Sequence, residues 1–122
     1  MLDRDYLEDL FAPFGPITVR RMFGGQGVRF GDLMIALVFD GVVYLKVDPE
    51  TVPRFQEAGS APFGYDRKGK SVSLSFWRMP EEAVDDPDVL REWAELALGA
   101  ARRKAAKGPP RKPRRSRQAL QK

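Results

Sequence analysis

The chain has 122 residues, with 21 Lys plus Arg against 17 Asp plus Glu for a formal net charge of +4, and it contains no histidine and no cysteine. It therefore has no imidazole base, no thiolate nucleophile, no Cys/His zinc site and no disulfide, so any chemistry would rest on carboxylates, Lys, Tyr or Ser. The length fits one compact domain plus a tail, and a hydrophobic share of 43% is enough for a core.

Leu2, Tyr6, Leu7, Leu10, Phe11 and Phe14 recur at three- and four-residue steps, which predicts a first helix with these residues on one face, ended by Pro13, Gly15 and Pro16. Ile17 to Phe23 alternates as a strand, and Gly24-Gly25-Gln26-Gly27 reads as a turn into a short strand from Val28 to Phe30. Gly31-Asp32 and Asp40-Gly41 bracket the apolar run Leu33 to Phe39, and both dipeptides suit two-residue hairpin turns. Val43, Leu45 and Val47 then alternate with Val42, Tyr44 and Lys46, giving a strand with one buried and one partly wet face. Such short turns cannot carry a parallel crossover, so these strands form an antiparallel meander.

Asp48-Pro49-Glu50 opens a short helical segment through Phe55 and Glu57, and a loop rich in glycine and proline follows. Val72, Leu74 and Phe76, interleaved with Ser71, Ser73 and Ser75, form another strand, closed by Pro80. Asp86 and Pro87 read as the N-cap and first residue of a long last helix, whose buried stripe is Val89, Leu90, Trp93, Leu96, Ala97, Ala100 and Ala101. The fold class is α+β: an antiparallel meander flanked by an N-terminal helix and a long C-terminal helix.

Charge divides the chain. Residues 1–101 hold all 17 acids and 11 bases, a net of −6, whereas residues 102–122 hold ten bases and no acid. Gly108-Pro109-Pro110, Pro113 and a single large apolar residue, Leu120, leave the end of the chain too little surface to bury to offset its ordering entropy. The predicted division is a domain at 1–107 and a flexible basic tail at 108–122. The acidic start Met1-Leu2-Asp3-Arg4-Asp5 is unlike a secretory signal, and the longest apolar run spans seven residues where a membrane helix needs about 20. These features predict a soluble, cytoplasmic protein with no membrane role.

Gly64-Tyr65-Asp66-Arg67-Lys68-Gly69-Lys70-Ser71 matches the phosphate-loop pattern G-x-x-x-x-G-K-[ST]. Such a loop needs a strand before it and a helix after it, whereas a strand-like segment follows here, so the string reads as an exposed basic hairpin loop. Gly24 to Gly27 could hold an anion through its backbone beside Arg20, Arg21 and Arg29, but a turn between strands is the simpler meaning. The acids Glu81, Glu82, Asp85, Asp86 and Asp88 precede a helix and complement its dipole rather than mark a metal site. Trp77 and Trp93 read as packing residues rather than base-stacking platforms.

The tail favours a partner. Arg102, Arg103, Lys104 and Lys107 also suit the negative end of a helix dipole, but Arg111, Lys112, Arg114, Arg115 and Arg117 have no such structural reason. Basic arms interrupted by proline bind phosphate backbones by releasing counterions, and these nine residues are the expected contacts with DNA or RNA. The competing reading is a tail that only keeps the protein soluble.

Arg21-Met22-Phe23-Gly24-Gly25, Ala36 to Phe39, Asp40-Gly41, Tyr44-Leu45-Lys46-Val47-Asp48, Pro62-Phe63-Gly64-Tyr65, Gly69-Lys70 and Trp93-Ala94 follow one another in a familiar order and spacing. The chain resembles the amino-terminal domain of the TfoX/Sxy family over most of residues 6–101, with Arg21, Met22, Phe23, Gly24 and Gly25 as its signature. The resemblance implies an antiparallel sheet flanked by helices and a place among regulators of competence genes, which act as transcriptional co-activators with the cyclic-AMP receptor protein. It implies no enzymatic activity and supplies no catalytic residues. Full-length regulators of the family carry a second domain where this chain has its basic tail.

The combined expectation is a non-enzymatic regulatory or binding module in bacterial transcription, with no cofactor and no metal. Its acidic domain engages a protein such as a transcription factor, while its tail contacts nucleic acid. The alternative is a protein-interaction adaptor without a nucleic-acid role, using a sheet edge or the face around Tyr44, Phe63 and Trp77.

Overall fold

A computed structural model describes residues 2–22, 24–67 and 70–107, with the backbone alone for 65–67 and 70–74. The first helix, α1 (Arg4–Phe11), is shorter than its apolar periodicity. Leu7 and Phe11 are fully buried, Leu2, Leu10 and Phe14 are half-buried against the core, and Tyr6 faces solvent at 45% exposure. The chain leaves the helix when Phe14 and Gly15 both donate backbone bonds to the Phe11 carbonyl, at 2.9 Å each.

Six antiparallel strands form one sheet: β1 (Thr18–Met22), β2 (Gly25–Phe30), β3 (Leu33–Phe39), β4 (Val42–Lys46), β5 (Pro62–Arg67) and β6 (Lys70–Arg78). The first four strands are the expected meander. Asp40 and Gly41, at φ 54° and 77°, give the β3–β4 hairpin the two left-handed residues that a type I′ turn requires.

The turn between β1 and β2 is tighter than the sequence reading, because Met22 pairs with Gly25 and only residues 23 and 24 lie between them. Gly25 and Gly27 are strand residues, and their lack of a side chain serves packing. A Cβ on Gly25 would run into the Val38 carbonyl oxygen, and one on Gly27 would lie 2.6 Å from Met22 Sδ.

The order β1-β2-β3-β4-β6-β5 departs from a simple meander. The segment expected to be a loop after α2 (Val52–Glu57) contains β5, which forms the far edge, and β6 returns between β5 and β4. Pro62 and Gly64 obscured β5 in the sequence. An edge strand tolerates proline, because one side of it has no ladder partner.

All four helices contribute to one buried cluster on one face of the sheet, through Leu7 and Phe11 of α1, Phe55 of α2, Ala83 of α3 (Glu82–Asp85), and Leu90, Trp93, Ala94, Ala97, Leu98 and Ala101 of α4 (Pro87–Lys107). A bulge aids this face. The register slips between Val28↔Ala36 and Arg29↔Met34, so Ile35 and Ala36 both turn towards the helices. Phe55 is the keystone, with its ring centroid 4.7 Å from Trp93 and 6.3 Å from Trp77. The packing reading of both tryptophans therefore holds.

The opposite face carries a smaller cluster of Leu37, Phe63 and Phe76, against which Met34, Phe39 and Tyr44 pack. Gln26, buried among apolar neighbours, ties the N-terminal segment to β2 by accepting from Leu2 N–H at 2.8 Å and donating to the Leu2 carbonyl at 2.7 Å. Asp86 caps α4 as expected, its Oδ1 accepting from the backbone N–H of Asp88 at 3.0 Å.

Candidate functional site

α4 delivers its last turns to the ends of β3 and β4. Arg102, Lys104 and Lys107 are exposed there, while Arg103 is half-buried and already engaged. Arg103 Nε lies 2.5 Å from Asp48 Oδ2, its Nη2 donates to Asp48 Oδ1 at 3.1 Å, and Glu50 Oε2 stands 3.3 Å from Nε. This two-pronged clamp fixes the end of α4 against the turn that leads from β4 into α2. Asp48 Oδ1 also accepts from the backbone N–H of Glu50 at 3.1 Å and of Thr51 at 3.2 Å. The Arg103 hydrogen bond, its charge and these N–H groups hold the Asp48 carboxyl below the usual range against the opposing effect of burial. The Arg103 pKa is raised by the same partner.

Lys46, at the end of β4, shares a groove of about 160 Å³ with Lys104, Lys107, Asp48 and Ser75. Its ammonium sits 5.0 Å from the centroid of the Phe76 ring. Burial and the neighbouring charge of Lys104 push its pKa down, with Asp48 pulling the other way. A second groove of about 500 Å³ opens on the other side of Lys46 and Lys104, and Leu33, Met34, Ala101 and Ala105 line it. Sequence reasoning missed Lys46, because a lysine on the wet face of a strand looks ordinary. What marks it is the helix end that the fold brings beside it.

Arg111, Lys112, Arg114, Arg115 and Arg117 lie outside the described residues, as does Phe23 of the signature. The other signature residues build the β1–β2 hairpin: Arg21 is exposed, Met22 is half-buried with its sulfur over Gly27, Gly24 turns the chain at φ 78°, and Gly25 packs against Val38. In the string that resembles a phosphate loop, Gly64 to Arg67 end β5 and Lys70-Ser71 open β6, with Lys68 and Gly69 outside the described residues. A strand follows it, so no helix N-terminus points at it. Tyr44 and Phe63 stack edge to face at 4.7 Å, but Trp77 lies with Phe55 in the helix-side core, so the three do not share one contact face. Among the described residues no three acidic side chains are grouped to hold a metal ion, and no helix is long and apolar enough to cross a membrane.

The profile of the TfoX N-terminal domain matches residues 9–101. The chain belongs to this family. The match thus runs from the last turn of α1 to the buried part of α4, and the basic end of the helix continues past it. The chain is 29% identical over 105 residues to the DNA transformation protein TfoX1 of Aliivibrio fischeri, covering 83% of this chain and 50% of that protein. It is 26% identical over 94 residues to Protein Sxy of Escherichia coli, covering 77% and 45%. The chain therefore spans about half the length of either relative. The TfoX domain places the hairpin signature at one side of the sheet and the Lys46–Lys104 grooves at the end of α4.

Proposed function

We propose that this TfoX-domain protein is a non-enzymatic regulatory module that acts in bacterial transcription and contacts nucleic-acid phosphates through its basic end. One observation carries the reading. Lys104 and Lys107 stand exposed beside Lys46 at the point where the chain passes into residues 108–122, which add Arg111, Lys112, Arg114, Arg115 and Arg117 without any acid. Arg102 extends the same exposed surface, whereas Arg103 is bound to Asp48 and holds the surface in place. Contacts of this kind are insensitive to base sequence and sensitive to salt. Target choice would then come from a protein partner held by the acidic domain, a transcription factor such as the cyclic-AMP receptor protein being the kind that the family implies.

The test is DNA binding by the full chain against a variant with Arg111, Lys112, Arg114, Arg115 and Arg117 replaced by Gln, followed by fluorescence anisotropy on duplex DNA. The reading expects loss of at least ~100-fold in affinity at low salt on neutralising five phosphate contacts. Equal weak binding by both chains would sink it.

A second reading, an adaptor that binds protein alone, is favoured by a groove of about 150 Å³ lined by Leu2, Tyr6, Leu10 and Val84. Tyr6 and Val84, at 45% and 46% exposure, are the exposed large hydrophobic residues among those described. Recovery of one protein partner after nuclease treatment, lost in Tyr6→Ser, would support it.

A further inference from the structure

Lys46 is half-buried, and among the described residues no carboxylate stands within ion-pair distance of it. Asp48 is the nearest acid that acts on it, but both Asp48 oxygens are taken up by Arg103 and by backbone N–H groups. Lys104 brings a like charge to the same place. The dipole of α4 accounts for cations at Lys104 and Lys107, since both lie in its last turn. It does not account for Lys46, at the end of β4, which lines one groove with them.

An anion between the two ammonium groups would relieve their repulsion. Across the lysines, Leu33, Met34 and Ala101 offer an apolar wall immediately next to the charge. A tetrahedral anion attached to a less polar group fits that juxtaposition better than a free inorganic ion does.

We propose that Lys46 and Lys104 form a seat for one phosphate of a bound nucleic-acid strand, with the adjoining sugar against Leu33, Met34 and Ala101. The inference rests on the nucleic-acid reading above and adds to it a fixed point on the folded domain. The tail then supplies affinity, while the seat sets where the strand enters.

The test follows the Lys46 and Lys104 ammonium signals by NMR in the full chain as a short DNA duplex, inorganic pyrophosphate or a poly-glutamate peptide is added. The duplex should shift both signals, and should still do so in the variant with the five tail bases replaced. Lys46→Met, which keeps the apolar stem, should weaken duplex binding about tenfold at moderate salt and lower the salt slope by about 0.9. Lys104→Gln, on an exposed helix surface, carries the same expectation should Lys46→Met fail to fold. If both variants bind DNA like the parent while the tail variant does not, the seat is overturned and the nucleic-acid reading stands. If DNA binds nowhere and pyrophosphate alone shifts Lys46, both the strand and the wider reading fall. A poly-glutamate response that equals or exceeds that of the duplex would overturn the preference for phosphate.

Discussion

The two ends of α4 carry opposite charge, and the fold treats them differently. At the amino end, Asp86 caps the helix through Asp88 N–H, and Asp88 pairs with Arg91 at 3.3 Å, so local helix physics accounts for the acids there. At the carboxyl end, Arg103 is clamped by Asp48, yet Lys46 and Lys104 line the same grooves with no carboxylate pairing either of them among the described residues. A charge run that satisfies its own helix says little about function. A cation held beside another, at some expense to the fold, says more.

The largest expected effect breaks both ends at once. Phe55→Ala removes the ring between Trp77 and Trp93 that seats the first third of α4, at a cost of about 3–5 kcal/mol. Urea unfolding should show that loss, and DNA binding should weaken with it. Asp86→Ala tests the acidic end alone, with a loss of about 1 kcal/mol in the same experiment and no weakening of DNA binding.

Lys46→Met tests the basic end in the opposite direction. The charged form of Lys46 is disfavoured in the fold, because its pKa lies below the ordinary lysine value. The penalty is fully present at neutral pH and fades as pH rises from the lowered folded value towards about 10.4. The variant should melt no lower than the parent at pH 7, with any advantage shrinking as pH rises towards about 10.4, to be read by thermal melts across pH.

The smallest effect belongs to Asp48→Asn. The Asp48 pKa is depressed in the fold, so its contribution is present above about 3.9 and is lost as pH falls through the lower folded value. The variant should melt slightly below the parent at pH 7, with the gap closing in strong acid.

Periodicity made most of this fold legible. The run Leu33 to Phe39 became β3 and its bracketing dipeptides became two hairpin turns, because two-residue turns fix the local pairing, although the bulge opposite Val28 and Arg29 shifts the β2–β3 register beyond the first turn. Asp86-Pro87 marked the start of α4. What escaped depends on contacts between distant segments. β5 hides behind Pro62 and Gly64, and the strand role of Gly25 depends on the Val38 carbonyl, thirteen positions away. At the site, the helical bases were legible as a charge run, but Arg103 and Lys104 looked alike until Asp48 took one of them. Lys46 had no local signal, since burial in the fold and then Lys104, 58 positions later, make it unusual.

The slope of log affinity against log salt for the full chain on duplex DNA tests the central claim most directly. Five tail cations on phosphates predict a slope of about −4.5, and engagement of Lys46 and Lys104 as well would steepen it to about −6.3. A slope shallower than about −1, unchanged on replacing the five tail bases, would contradict a phosphate-binding role for the basic end.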